Sequence, residues 1–130
     1  PAGNTNQTIG LAWGWQALSA GAPLNPPPLD PDTSQAIILL TDGMNTQNRW
    51  STRQRDVDDR MREACTNAKA AGVTIYTIAY GNGGSTSNTS PMALCASSVA
   101  NHFLKAANAT ELAAKFKQIG DSLAGIHLSR

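Results

Sequence analysis

Apolar positions fall in blocks along the chain, and proline or glycine separates most of them. The clearest block is Ala36-Ile37-Ile38-Leu39-Leu40, which does not alternate and stops at Thr41-Asp42-Gly43. An unbroken run of this kind, rich in β-branched residues, predicts a strand over 36–41 covered on both faces, as inside a parallel sheet. Upstream, Ile9, Ala12, Trp13, Gln16 and Ala17 recur at spacings of three and four, which predicts a helix from Asn6 to about Ala20 with one apolar stripe. Gly21 suits its C-terminal end. Trp13 and Trp15 point about 200° apart on a helix, so one of them is expected to pack on the sheet and the other elsewhere. Residues 22–35 carry Pro23, Pro26, Pro27, Pro28 and Pro31, which marks a surface connection.

Beyond Gly43, residues 43–52 are polar loop. A helix from about Arg53 to Ala71 buries Val57, Met61, Ala64, Cys65 and Ala68, and Gly72 closes it. Val73 to Tyr80 predicts a second strand. The stretch 81–90 is a flexible loop. Ser90 then caps a short helix over 91–98 with Pro91 at its first position. His102 to Ala106 predicts a third strand. Asn108 and Glu111 have capping-box spacing, ahead of a helix that buries Leu112, Phe116, Ile119 and Leu123, with a frayed edge over 126–129.

Helices alternating with strands imply an α/β fold: a three-layer, mostly parallel, doubly wound sheet with right-handed crossovers, in a single domain over 1–130. Both crossovers after residue 41 should lie on one face, with the first and last helices covering the other. Three strands make a narrow sheet, and its most apolar strand lies at an open edge. That strand is expected to pair with a missing half of the sheet or with a second copy through residues 36–41.

Composition narrows the function classes. The chain has 130 residues, 41% hydrophobic and 15% charged, with a net charge of +1. That suits one globular domain, and charge alone indicates neither a nucleic-acid nor a membrane partner. No apolar run reaches the roughly 20 residues of a membrane helix. The chain begins at Pro1 rather than Met, as expected of a fragment of a longer protein.

Asp42 lies at the carboxyl end of the first strand, where open α/β sheets collect ligands. The segment Gly3 to Gly10 opens the first helix at the same surface. Asp42 with the Thr5 or Thr8 hydroxyl is hard-cation chemistry, suited to Mg²⁺ or Mn²⁺. Gly43 is expected to let the chain turn sharply there, with no Cβ in the way. Asn45 is a further candidate contact on the rim. An alternative is a metal-dependent hydrolase or phosphotransferase with Asp42 as nucleophile or ligand. It lacks support, since no second aspartate follows Asp42 two residues on and no Gly-x-Ser-x-Gly elbow occurs.

The phrases Thr5-Asn6-Gln7-Thr8-Ile9-Gly10-Leu11 and Ile38-Leu39-Leu40-Thr41-Asp42-Gly43 resemble the second half of a von Willebrand factor type A domain. With Leu39-Leu40-Thr41-Asp42-Gly43-Met44-Asn45-Thr46 and Leu94-Cys95-Ala96-Ser97-Ser98, the chain is similar to TadG-like proteins of tight-adherence (Flp) pilus assembly. The resemblance implies a six-stranded doubly wound sheet and a metal-ion-dependent adhesion site in which Thr5, with Thr8 as the nearby alternative, and Asp42 are ligands. It implies a non-enzymatic protein-binding module, on the periplasmic side of the envelope and anchored to the membrane in the full-length protein. The Asp-x-Ser-x-Ser part of the family pattern does not occur, so little Mg²⁺ affinity is expected of these residues alone. A further alternative is a scaffold with a vestigial metal site.

Other features carry plainer readings. Arg49, Arg53, Arg55, Arg60 and Arg62 interleave with Asp56, Asp58, Asp59 and Glu63, which reads as a solvated helix face rather than an anion patch. Gly81, Gly83 and Gly84 lack the Gly-Lys-Ser/Thr of a phosphate loop. His102 and His127 lack ligand spacing. Trp50, near the rim, either anchors a partner or packs on its own loop. Cys65 and Cys95 lie on helices expected to be neighbours, so a bridge is geometrically possible; in a reducing compartment they would be small buried hydrophobes. The periplasmic location that the resemblance implies favours the bridge.

Overall fold

A computed structural model describes residues 3–30, 32–81 and 86–127, with the backbone alone for 126 and 127. Pro31, Gly83, Gly84 and the 128–129 end of the expected frayed edge lie outside the described residues. The elements run α1 (Gln7–Leu18), β1 (Ala36–Thr41), α2 (Gln54–Ala70), β2 (Thr74–Tyr80), α3 (Pro91–Cys95), α4 (Val99–His102), β3 (Phe103–Ala106) and α5 (Ala109–His127). The sheet is parallel in the order β1-β2-β3, with Ala36 opposite Thr74 and Thr77 opposite Phe103. The described residues thus form an α/β fold with helices on a parallel sheet.

Local sequence sets most boundaries. The Ser90 hydroxyl accepts a hydrogen bond from the Ala93 N–H, and Pro91 fills the first helical position of α3. Gly72 takes a left-handed φ of +86° just beyond α2, where a side chain would be strained. At α5 the Asn108 side chain accepts from the Glu111 N–H. The Glu111 carboxylate reaches back to the Ala107 N–H rather than to that of Asn108. Residues 91–102 form two short turns of helix rather than one, because Ala96 and Ser98 adopt extended backbone and Ser98 caps the second turn.

Two cores flank the sheet. On one face Ile37, Leu39, Ile75, Ala79 and Phe103 pack against Leu11, Met61, Cys65 and Met92 from α1, α2 and α3. On the other, Tyr76, Ile78, Leu104 and Ala106 meet Ile119 of α5. The α2 stripe is buried as its spacing predicts, with Ala64 half-buried. On α5, Ile119 is buried and Leu112 and Leu123 are half-buried, while Phe116 stays exposed.

Helix α1 corrects two expectations. It lies beside α2, on the same face as the crossovers, and not on the α5 face. Its buried side is also different: Leu11 is fully buried and Trp15 and Leu18 pack on the core, while Ile9 and Trp13 are more than half exposed. Apolar residues surround this helix almost evenly, so periodicity does not choose a side. The small residues decide. A Cβ at Gly14 would lie 3.6 Å from Ile37, and one at Gly10 would lie 3.8 Å from Leu39, so the glycine side is the one that approaches β1 closely.

With α1 on the crossover face, β1 is covered on one side only. Its burial alternates, and Ile38 and Leu40 are 39% and 43% exposed. This overturns the expectation of a strand covered on both faces. Among the described residues β1 pairs with β2 alone, so its outer edge is open.

Candidate functional site at the carboxyl end of β1

The segment before α1 and the loop after β1 are tied together by hydrogen bonds. The Thr5 N–H donates to the Thr46 hydroxyl at 2.8 Å, and the Thr46 N–H donates to the Thr5 carbonyl at 2.9 Å. This exchange fixes Thr5 against the loop. The Thr5 hydroxyl then lies 3.6 Å from where a Cβ on Gly43 would sit, one residue beyond Asp42. Asn6 caps α1 by accepting from the Thr8 N–H, and the Gln7 N–H donates to Asn45 Oδ1 at 2.8 Å. Free amides of the first helical turn are thereby used to hold the loop.

Gln7 and Asn45 do the positioning. Gln7 Nε2 donates to the Gly43 carbonyl at 2.7 Å and, at 3.4 Å, to the Thr41 hydroxyl. Asn45 is 2% exposed, and its amide donates to Asp58 Oδ1 at 2.8 Å. A network from α1 through the loop to α2 results. Asn45 is therefore committed inside it and presents no free ligand on the rim. Gln7, Thr46 and Asp58 escaped the sequence reading. The available signal for Gln7 was a long polar side chain directly after a helix cap, on a mostly apolar helix.

Asp42 is exposed, at the edge of an open hollow that Leu40, Tyr80 and Leu112 also line. Thr8 is half-buried, and its hydroxyl is shielded with no partner among the described residues, as is Gln7 Oε1. Gly43 does not take a left-handed backbone, and the Cβ contact at 3.6 Å is ordinary. The expected need for glycine there is thus not met: a methyl group fits.

Residues 15–118 match the family model described as the von Willebrand factor type A domain. The chain belongs to the von Willebrand factor type A family. The match takes in Asp42 and starts beyond Thr5 and Gln7. This A-type domain is similar to two crystal structures of proximal thread matrix protein 1 from the mussel byssus. Each is 21% identical, with TM-scores of 0.50 and 0.51 over 68% and 69% of this chain. The likeness is one of fold, and the domain spans 19% of the mussel protein's length. Comparison with curated proteins gives no match. A-type domains serve generally as non-catalytic protein-interaction and adhesion modules.

The donor set does not by itself fit a divalent cation. Thr5 and Asp42 offer one hydroxyl and one carboxylate, with the Thr8 hydroxyl close in sequence. No group of three or more His, Cys, Asp or Glu side chains suited to a metal occurs among the described residues. Six oxygen ligands would be required around Mg²⁺, several of them commonly water.

The remaining singled-out residues fall elsewhere. Cys65 and Cys95 form a disulfide joining α2 to α3, with Cα atoms 5.1 Å apart. The His102 Nδ1 atom is 2.9 Å from the Ser98 hydroxyl, and its ring lies 4.6 Å from that of Tyr76. His127 ends α5, and its side chain lies outside the described residues. Arg53 pairs with the half-buried Asp56, and Arg55 and Arg62 both pair with Asp59 in solvent. The carboxyl of Asp56 is held below the ordinary aspartate range by a hydrogen bond from Ser51 and by Arg53.

Proposed function

We propose that this A-type domain is a non-enzymatic binding and assembly module of a bacterial tight-adherence pilus system, acting on the periplasmic side of the envelope. Its partner is a pilus or envelope protein that meets the carboxyl end of β1. The observation that carries this reading is the reciprocal Thr5–Thr46 exchange. It sets a hydroxyl beside Gly43 and leaves the neighbouring Asp42 carboxylate in solvent. A carboxylate on a loop held by hydrogen bonds, with no partner among the described residues, suits recognition from outside. The sequence phrases around Thr5 and Asp42 add the pilus context.

On this reading the metal-ion-dependent adhesion site is partial. Thr5 and Asp42 would supply one hydroxyl and one carboxylate, and further ligands would come from outside these residues. Calorimetric titration of the 130-residue chain with Mg²⁺ is expected to give no tight binding. The open edge of β1 and the exposed Ile38 and Leu40 suit a further strand, from elsewhere in a longer protein or from a second copy. Sedimentation of the isolated chain as a stable, well-folded monomer would count against a second copy there.

The decisive experiment is Asp42→Ala in the full-length protein, scored by pilus assembly at matched protein level. Loss of assembly supports a binding role for the rim. Unchanged assembly favours a second reading, a scaffold with a vestigial metal site, to which the lack of a three-ligand group among the described residues already lends weight.

A further inference from the structure

The arginines divide into two sets. Arg53, Arg55 and Arg62 are engaged with Asp56 and Asp59. Arg49 and Arg60 take part in no ion pair among the described residues. Both lie instead on Trp50, with guanidinium carbons 5.9 and 5.1 Å from the ring centroid. Trp50 is 74% exposed, so it does not pack into its own loop.

The loop that carries Trp50 is held in shape. Asn48 Oδ1 accepts from the Trp50 N–H at 2.8 Å and from the Ser51 N–H at 2.7 Å. The Ser51 hydroxyl in turn donates to Asp56 Oδ2 at 2.6 Å, which anchors the turn to α2. An exposed indole flanked by two cations, on a loop held by hydrogen bonds, has the composition of an interface hot spot. Two guanidinium groups within about 6 Å of one ring retain donors for an oxyanion.

We propose that Trp50, Arg49 and Arg60 form a docking patch for an acidic peptide segment of a partner protein. One carboxylate would lie on the guanidinium groups and a neighbouring apolar side chain on the indole. The flanks of the patch argue for this occupant over a polyanion. Asp56 and Glu63 lie one helical turn to either side of Arg60, and Asp59 adjoins it. A nucleic acid or anionic membrane surface would meet these charges, whereas a short segment with one or two carboxylates fits between them. The patch shares no residue with the Thr5–Asp42 rim.

The test follows the Trp50 indole N–H signal by NMR, assigned by its loss in Trp50→Phe. The ¹⁵N-labelled chain is titrated with the capped peptide acetyl-Glu-Phe-Glu-amide, with its Gln counterpart acetyl-Gln-Phe-Gln-amide, and with an eight-nucleotide oligothymidylate. The acidic peptide is expected to shift the signal with saturation. The neutral peptide should bind at least tenfold more weakly, and so should the acidic peptide at high salt. Arg49→Gln/Arg60→Gln is expected to weaken the acidic peptide by the same factor. No shift with the acidic peptide, or equal binding of the two peptides, overturns the proposal. Tighter binding of the oligonucleotide also overturns it, in favour of a polyanion site. The wild-type arms decide the matter even if the double variant fails to fold.

Discussion

The side-chain amide of Gln7 donates to the Gly43 carbonyl at 2.7 Å, so the first residue of α1 holds the turn that follows Asp42. The two lie 36 positions apart in sequence, and the bond fastens α1 to the carboxyl end of β1. Gln7→Met keeps the length of the side chain and removes its donor. The loss is partly offset, since Gln7 Oε1 is buried without a partner among the described residues. A net destabilisation of about 1 kcal/mol is expected, a fall of roughly 3–5 °C in Tm by circular dichroism. The amide signals of Gly43 and Asn45 should move while those of α5 do not. An unchanged Tm would mean that the bond contributes nothing to holding the loop.

Gly43 and Gly72 are expected to respond oppositely to alanine. A Cβ at Gly43 meets Thr5 Oγ1 at 3.6 Å, an ordinary contact, and the backbone there is not left-handed. Gly43→Ala should therefore shift stability by less than about 0.5 kcal/mol, by reducing freedom in the unfolded chain. Gly72 has φ +86° with open space around it, so only conformational strain opposes a side chain. Gly72→Ala should cost about 1 kcal/mol or more. Urea melts of the two variants side by side check the order; the reverse order would refute it.

What sequence could and could not reveal divides along physical lines. Elements built on caps and repeats were legible: Ser90 before Pro91, Gly72 after α2, and the Val57–Met61–Cys65–Ala68 stripe. That the segment before α1 and the end of β1 share one rim was legible from where a parallel sheet ends, whereas the Thr5–Thr46 exchange that ties them was not. The side of the sheet taken by α1 was not legible, because an evenly apolar helix carries no directional signal and the choice rests on how closely Gly10 and Gly14 let it approach β1. The half-covered state of β1 follows from that choice. Gln7 and Asp58 were missed because each acts across a gap in sequence that only the fold closes. The split among the arginines depends on where one loop sets Trp50, which composition cannot encode.

Asp56 gives a prediction for pH. Its carboxyl is lowered by the Ser51 hydroxyl first, then by Arg53, with Arg60 adding a smaller attraction. A carboxylate with a depressed folded-state pKa adds stability that is fully present above the ordinary aspartate range, near pH 4, and lost as pH falls through the lower folded value. The side chain is half-buried and its partner Arg53 lies in solvent, so the global effect is small and the local one is the better readout. Carboxyl NMR titration should give Asp56 a midpoint below that of an unperturbed aspartate. Ser51→Ala and Arg53→Gln should each raise the midpoint. Equal midpoints in wild type and Ser51→Ala would show that the hydroxyl is not the main cause.

The Cys65–Cys95 bridge should be a main support of the helical layer. It closes a loop of sequence separation 30 between α2 and α3, and both cysteines are almost wholly buried in the core that Leu11 shares. Chain-entropy arguments assign such a closure about 3.5 kcal/mol. Cys65→Ala/Cys95→Ala should lower Tm by roughly 10–15 °C. Dithiothreitol should lower the wild-type melt similarly and leave the double variant unmoved. The effect should reach the candidate site, because Ser90 and Met92 at the start of α3 line a cavity of about 100 Å³ together with Gln7 and Gly43. Amide signals around Gly43 are therefore expected to broaden on reduction. Two free thiols per unreduced chain by mass spectrometry, or a wild-type melt indifferent to reductant, would remove the bridge from the account and leave α3 held by core packing and by hydrogen bonds from Thr77 to the Met92 carbonyl and from Lys69 to the Leu94 carbonyl.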